Sequence, residues 1–190
     1  MKPAPVALFT YNRLAHTKET VSYLQKNILA DQTELFIYSD EGRSDTDKQK
    51  VKEVREYLKS ISGFLKVTLI ERDQNLGLAQ SIINGVTEVV NQYGKVIVME
   101  DDLIISPYFL QYMNDGLAFY KDKEEVISIH GYVYPVKDSL PETCFIERAD
   151  CWGWATWKRG WDLFEADGKK LLYELRSRDL TYKFDFDGSY

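Results

Sequence analysis

Four short apolar runs alternate with three stretches of helical periodicity, and this alternation limits the fold more than any other feature of the chain. The runs, residues 5–10, 34–39, 66–70 and 95–99, are rich in β-formers. Between them Val21, Leu24 and Ile28 share one helical face, as do Val51, Val54, Leu58 and Ile61, and then Ile82, Val86, Val89 and Tyr93. Near-continuous apolar strands suit burial on both faces, and helices of this length suit right-handed crossovers between parallel strands. The expected fold is α/β: an open, mostly parallel sheet of the doubly wound type with helices on both faces.

Beyond the fourth run the pattern changes. Ser106-Pro107 reads as an N-cap followed by proline, opening a helix to about Tyr120 with Phe109, Met113, Leu117 and Tyr120 inward. Residues 126–130 and 144–148 read as two further strands around a loop holding Pro135 and Pro141. Residues 152–164, which carry all four tryptophans, read as a helix-like segment, and 169–176 as a short last helix. Trp154, Trp157 and Trp161 fit helical spacings of three and four, as rings packing a core would.

Charge and cysteines exclude several classes. A net charge of −6 over 190 residues weighs against nucleic-acid partners, which want a basic face for phosphates. Cys144 and Cys151 make neither a disulfide framework nor a zinc spacing, as expected of thiols in a reducing compartment. The opening residues hold too short an apolar run for a signal peptide, and no run approaches the ~20 apolar residues of a spanning helix. The expected setting is the cytoplasm, with contact at a membrane surface left open.

An open α/β sheet binds ligands beyond the carboxyl ends of its strands. Here each strand runs into polar residues at that end: Thr10-Tyr11-Asn12-Arg13, then Ser39-Asp40-Glu41-Gly42, then the stretch from Arg72 to Gly77, then Glu100-Asp101-Asp102. One such loop is ordinary, but four on one edge point to a site. The triplet is the sharpest element. Three successive carboxylates at the end of a buried strand repel one another with little screening, a cost that a cation relieves. Oxygen ligands suit a hard divalent ion, Mn²⁺ or Mg²⁺, and a small protein ligand set leaves positions for phosphate oxygens. The plain alternative is a solvated acidic turn before the next helix.

These residues carry a resemblance. The apolar strand ending in Glu100-Asp101-Asp102 resembles the variant Asp-X-Asp motif of glycosyltransferases with the GT-A fold, and is especially similar to N-acetylglucosaminyltransferase I and related bacterial sugar transferases. The opening Pro5-Val-Ala-Leu-Phe-Thr-Tyr-Asn-Arg13 resembles the first strand of those enzymes, and Asn75-Leu-Gly-Leu-Ala-Gln-Ser81 their Asn-X-Gly helix start. Cys151-Trp-Gly-Trp-Ala-Thr-Trp157 is similar to an aromatic segment beyond the metal motif. The resemblance implies a GT-A fold and a nucleoside-diphosphate sugar donor, a UDP-sugar first of all. It also implies a metal-dependent, inverting transfer to a hydroxyl of a glycan, a lipid-linked sugar or another acceptor. Carried over by position, Asp102 is the metal ligand, and Glu100 and Asp101 hold ribose or metal-bound water. Asp40 meets the base, Arg72 and Asn75 the nucleotide, and Thr10, Asn12 and Arg13 make first-loop contacts.

The general base is the gap in this scheme. Similar enzymes place it after the aromatic segment, with tryptophan nearby, and no tryptophan follows Trp161. The expectation is a single domain, 1–190, cut short at its C-terminus. Residues 1–102 would be its nucleotide and metal half and 103–190 the start of its acceptor half, with the base beyond Tyr190. Asp150 is the fallback, and Asp185 and Asp187 lie near the end. Trp152 or Trp154 is a candidate acceptor platform, since sugars stack on aromatic faces. His130 reads as a structural histidine at a strand end. Two rivals stand beside this reading: a nucleotide-sugar-binding domain without catalysis, and a sugar nucleotidyltransferase. The second usually opens with a Gly-rich loop, and Thr10-Tyr11-Asn12-Arg13 has no glycine.

Overall fold

The computed structural model describes residues 2–135, 137, 139, 141–147 and 149–185. Its centre is one six-stranded sheet. Strands β1 (Val6–Thr10), β2 (Glu34–Ser39), β3 (Lys66–Glu71) and β4 (Lys95–Glu100) run parallel, joined by helices α1 (Leu14–Gln25), α2 (Asp45–Leu58) and α3 (Leu78–Tyr93). After helix α4 (Phe109–Phe119), strands β5 (Ser128–His130) and β6 (Trp154–Trp157) extend the sheet, giving the order β3-β2-β1-β4-β6-β5. Strand β6 pairs antiparallel with both β4 and β5. Short helices α5 (Lys158–Trp161), α6 (Gly168–Ser177) and α7 (Thr181–Phe184) follow. Among the described residues, no helix is long and apolar enough to cross a membrane.

Strand alternation divides the core into two layers. Val6, Leu8, Leu35, Ile37, Ile97 and Met99 face α1, α2 and α4, whereas Ala7, Phe9, Phe36, Tyr38, Val96 and Val98 face α3. Burial of both faces explains why these strands read as unbroken apolar runs. Val21 and Leu24 of α1, Val51, Val54 and Leu58 of α2, and Val86 and Val89 of α3 are buried, as their spacing predicts. Helix α1 ends before Ile28, which is 43% exposed and does not share that face.

Three expectations are corrected. Ser106 does not cap the fourth helix directly: its hydroxyl accepts from the Tyr108 amide at 3.2 Å, and this turn delays the helix to Phe109. Residues 144–147 form no strand, and Arg148 lies outside the described residues. A strand would send Phe145 and Ile146 to opposite faces; instead Phe145 lies edge-on against Tyr120, at 5.5 Å. The tryptophan segment is a strand before it is a helix. Pairing β6 with the free edge of β4 satisfies both backbones, and alternation sends Trp154 to the α3 side and Trp157 to the other, where its Nε1 donates to the Leu117 carbonyl.

Candidate functional site

Strand register brings the polar ends together. Thr10 lies beside Ser39, Ser39 beside Glu71, and Phe9 beside Glu100, so four loops leave one edge of the sheet. They build two corners.

The first corner lies between β1 and β4. Asp101 is 2% exposed, and its carboxylate accepts from the Tyr11 amide at 3.3 Å and the Thr17 hydroxyl at 3.3 Å. Arg13, the residue preceding α1, places one guanidinium nitrogen on Asp101 and the other on Asp102, the latter at 2.9 Å. Burial alone would lower the Arg13 pKa, but the two carboxylates outweigh it and hold the guanidinium above its ordinary value. Glu100 is pushed up, first by burial and then by Asp102 and Asp101, against the pull of Arg13.

The second corner lies between β2 and β3. Asp40, also buried, accepts from the Leu76 and Gly77 amides, both at 2.9 Å, and from Glu41 at 3.1 Å. It thereby ties the end of β2 to the start of α3, where Gly77 holds φ +76° at the N-cap. The Asn75 side chain donates to the Glu41 carbonyl at 2.5 Å and accepts from Arg43 Nε at 2.9 Å. The Arg72 guanidinium lies over the Tyr38 ring, 5.4 Å from its centroid, and its buried Nε has no hydrogen-bond partner among the described residues.

Other predicted residues sit at the margins. Thr10 donates to the Tyr38 carbonyl at 3.4 Å, and Asn12 donates to Asp47 at 2.8 Å, near the start of α2. Glu100 and Asp102, but not Asp101, line a groove of about 1910 Å³ that continues past Tyr108 and His130 to Trp152. That volume exceeds a single small-ligand pocket of roughly 300–1,000 Å³. Trp152 is 45% exposed and packs against Tyr132 and Tyr134. Trp154 is turned away, stacked on Trp161. Asp150 closes a turn: its Oδ1 accepts from the Cys151 and Trp152 amides at 2.6 and 3.1 Å, and its own amide donates to His130 Nδ1 at 3.3 Å. Burial lowers the His130 pKa, against Asp150. Asp185 is described but is not among the residues lining the groove, and Asp187 lies outside the described residues.

Sequence reasoning passed over three residues that build these corners. Tyr11 joins them, its amide on Asp101 and its hydroxyl accepting from the Arg43 amide at 3.2 Å. Thr17 carries no local signal beyond being a buried threonine on α1. Arg55 had one, a charge four residues after Val51 on the apolar side of α2.

Among the described residues, no three acidic, histidine or cysteine side chains converge on one point. The donor set nevertheless suits a hard divalent ion that takes most of its ligands from elsewhere. Glu100 and Asp102 both face the groove, and the half-buried Glu100 carboxylate accepts no hydrogen bond among the described residues.

Comparison with known proteins agrees with this architecture. S. aureus TarS in complex with UDP superposes with a TM-score of 0.51 at 16% identity, over 80% of this chain and 46% of that one. S. aureus TarS in complex with UDP-GlcNAc gives 0.48 at 16%, over 70% and 37%. Mannosyltransferase PcManGT from Pyrobaculum calidifontis, in complex with GDP-Man and Mn²⁺, gives 0.45 at 14%, over 67% and 35%. The chain thus spans less than half the length of each. No curated protein matches it. The GT-A fold expected from the Glu-Asp-Asp strand holds, and the likeness to N-acetylglucosaminyltransferase I is only approximate. The family model of glycosyl transferase family 2 matches residues 6–140, more than half of the sequence, and the chain belongs to that family.

Proposed function

We infer that this chain takes part in transfer of a sugar from a nucleoside-diphosphate sugar, a UDP-sugar, to an acceptor hydroxyl, with inversion at the anomeric carbon. The observation that carries the reading is the corner at the end of β4. There Asp101 is anchored inward while Glu100 and Asp102 face a broad groove. Family membership supports the reaction class.

Glu100 and Asp102 would hold Mn²⁺ or Mg²⁺, which when bound supplies Lewis-acid neutralisation of the departing diphosphate. Arg13, fixed by Asp101, adds positive charge at the same place. Asp40, Arg72 and Asn75, with Thr10 and Asn12 beside them, form the nucleotide side. Asp40 already spends both oxygens on backbone amides, so base contact there uses its remaining lone pairs. In the reaction the acceptor oxygen bonds to the anomeric carbon as the bond to the diphosphate oxygen breaks. The acceptor proton passes to a carboxylate. Asp150 is the fallback for that base, with Oδ1 engaged by two amides and Oδ2 left for the proton. Trp152, open on the groove, suits an acceptor platform better than Trp154, which is stacked away from it.

The test is titration calorimetry of UDP with Mn²⁺ and with chelator, on the wild type and on Asp102→Ala. Metal should strengthen wild-type binding, and the variant should bind as the chelated wild type does. Equal wild-type affinity in both conditions overturns the metal role. Binding without turnover on any acceptor favours a nucleotide-sugar-binding domain instead.

A further inference from the structure

Arg55 puts a charge on the inward side of α2, flanked by the buried Val51, Val54 and Leu58, and only 14% of its side chain is exposed. An arginine held there needs a full set of acceptors. Its Nε donates to the Ser39 hydroxyl at 3.2 Å and its Nη1 to the Glu41 carboxylate at 3.1 Å. Its Nη2 donates to the Arg72 carbonyl at 2.7 Å and the Ser39 carbonyl at 3.2 Å. One planar fork therefore closes the carboxyl ends of two neighbouring strands, where their own ladder stops.

We propose that Arg55 is a positioning residue for the nucleotide corner. It acts through the backbone at Ser39 and Arg72 and through Glu41, and it sets the loops from which Asp40, Arg72 and Asn75 project. The proposal rests on the reading of that corner as the nucleotide site. The chain of contacts is continuous. Glu41 receives Arg55 on its carboxylate and Asn75 on its carbonyl. Asp40, between Ser39 and Glu41, receives the amides of Leu76 and Gly77. Arg72, whose carbonyl Arg55 holds, starts the third loop and lays its own guanidinium over Tyr38. Among the described residues, no contact of Arg55 reaches the Glu100–Asp102 corner, so its direct hold is on one half of the site. Lysine does not replace it, because a compact ammonium cannot spread over acceptors arranged around a planar guanidinium.

Two readouts on the whole chain test this, with Arg55→Met and the milder Arg55→Lys. The first needs no ligand: amide hydrogen exchange by NMR. Protection should fall at Leu76 and Gly77 in both variants and stay at wild-type level at Tyr11, whose amide bonds Asp101. The second is calorimetry with uridine, and with UDP with and without Mn²⁺. Uridine affinity should fall about tenfold or more, as expected when one hydrogen bond to a charged group is lost. The ratio of UDP affinities with and without Mn²⁺ should not change. Unchanged protection at Leu76 and Gly77, full wild-type behaviour of Arg55→Lys, or an even loss of protection across β1–β4 each overturns the proposal. If wild type binds neither uridine nor UDP, the donor reading fails, while the exchange measurement still decides the role of Arg55.

Discussion

Within Glu100-Asp101-Asp102, neighbouring carboxylates have opposite surroundings. Asp101 is buried under an amide, a hydroxyl and a guanidinium, whereas the Asp102 side chain is 39% exposed and, among the described residues, shares only Arg13. Asp101→Ala strands the Tyr11 amide and Thr17 hydroxyl and removes one partner of a half-buried ion pair. The expected loss of stability is about 2–4 kcal/mol. Asp102→Ala removes an exposed pair and should cost less than about 1 kcal/mol, while abolishing metal-dependent nucleotide binding. Urea unfolding of both variants checks this, and equal losses would mean that Asp101 is no anchor. Crowding of the three carboxylates was legible in the sequence. Which of them turns inward was not, because the donors that decide it, Tyr11 and Thr17, stand 90 and 84 residues away along the chain.

Helix α3 shows how closely an element can be seated on the sheet. Phe9 and Tyr38 stack at 5.1 Å beneath it, and the Tyr38 hydroxyl donates to the Gly85 carbonyl and Glu88. A Cβ at Gly85 would fall 2.7 Å from Phe9 Cε1 and 2.9 Å from Tyr38 Cε2. In an exposed helix, Gly→Ala gains about 1 kcal/mol. Here the rings are pinned on both sides, and overpacking of about 1–3 kcal/mol should win. Gly85→Ala is therefore expected to lower the melting temperature, and a rise would mean that α3 moves off the sheet at little cost. Elements buried on both faces were legible because their periodicity is imposed by the core: β1 to β4 and the inward faces of α2 and α3 sit where their spacing puts them, except that α2 ends at Leu58 and leaves Ile61 beyond the helix. Strand β6 was not legible. Trp154, Trp157 and Trp161 stand at helical spacing, but Trp152 and Trp154 alternate as in a strand, and the free edge of β4 decided between the two.

At the scale of the molecule, the sheet and its covering helices stand apart from the C-terminal helices. Helix α6 is well started, with Asp167 accepting from the Lys169 and Lys170 amides, yet among the described residues it packs chiefly against α7. Leu171, Leu172, Tyr173, Leu180, Tyr182 and Phe184 all remain exposed. A tie to the rest of the chain is the ion pair Lys183–Glu147 at 3.2 Å, both partners in solvent and worth little. Segments with few buried apolar contacts open at low free energy, so amides in 168–185 should exchange far faster than those of β1 and β4. A chain ending at residue 166 keeps the Trp161–Phe164 stack and every proposed donor and metal contact, all of which lie between Thr10 and Asp102. It is expected to melt within about 4 °C of the full chain, a shift corresponding to about 1 kcal/mol. Its UDP affinity in Mn²⁺ should not change. Loss of nucleotide binding on this truncation would show that α6 and α7 fold over the groove when ligand is present, and that the donor site extends beyond the four strand ends.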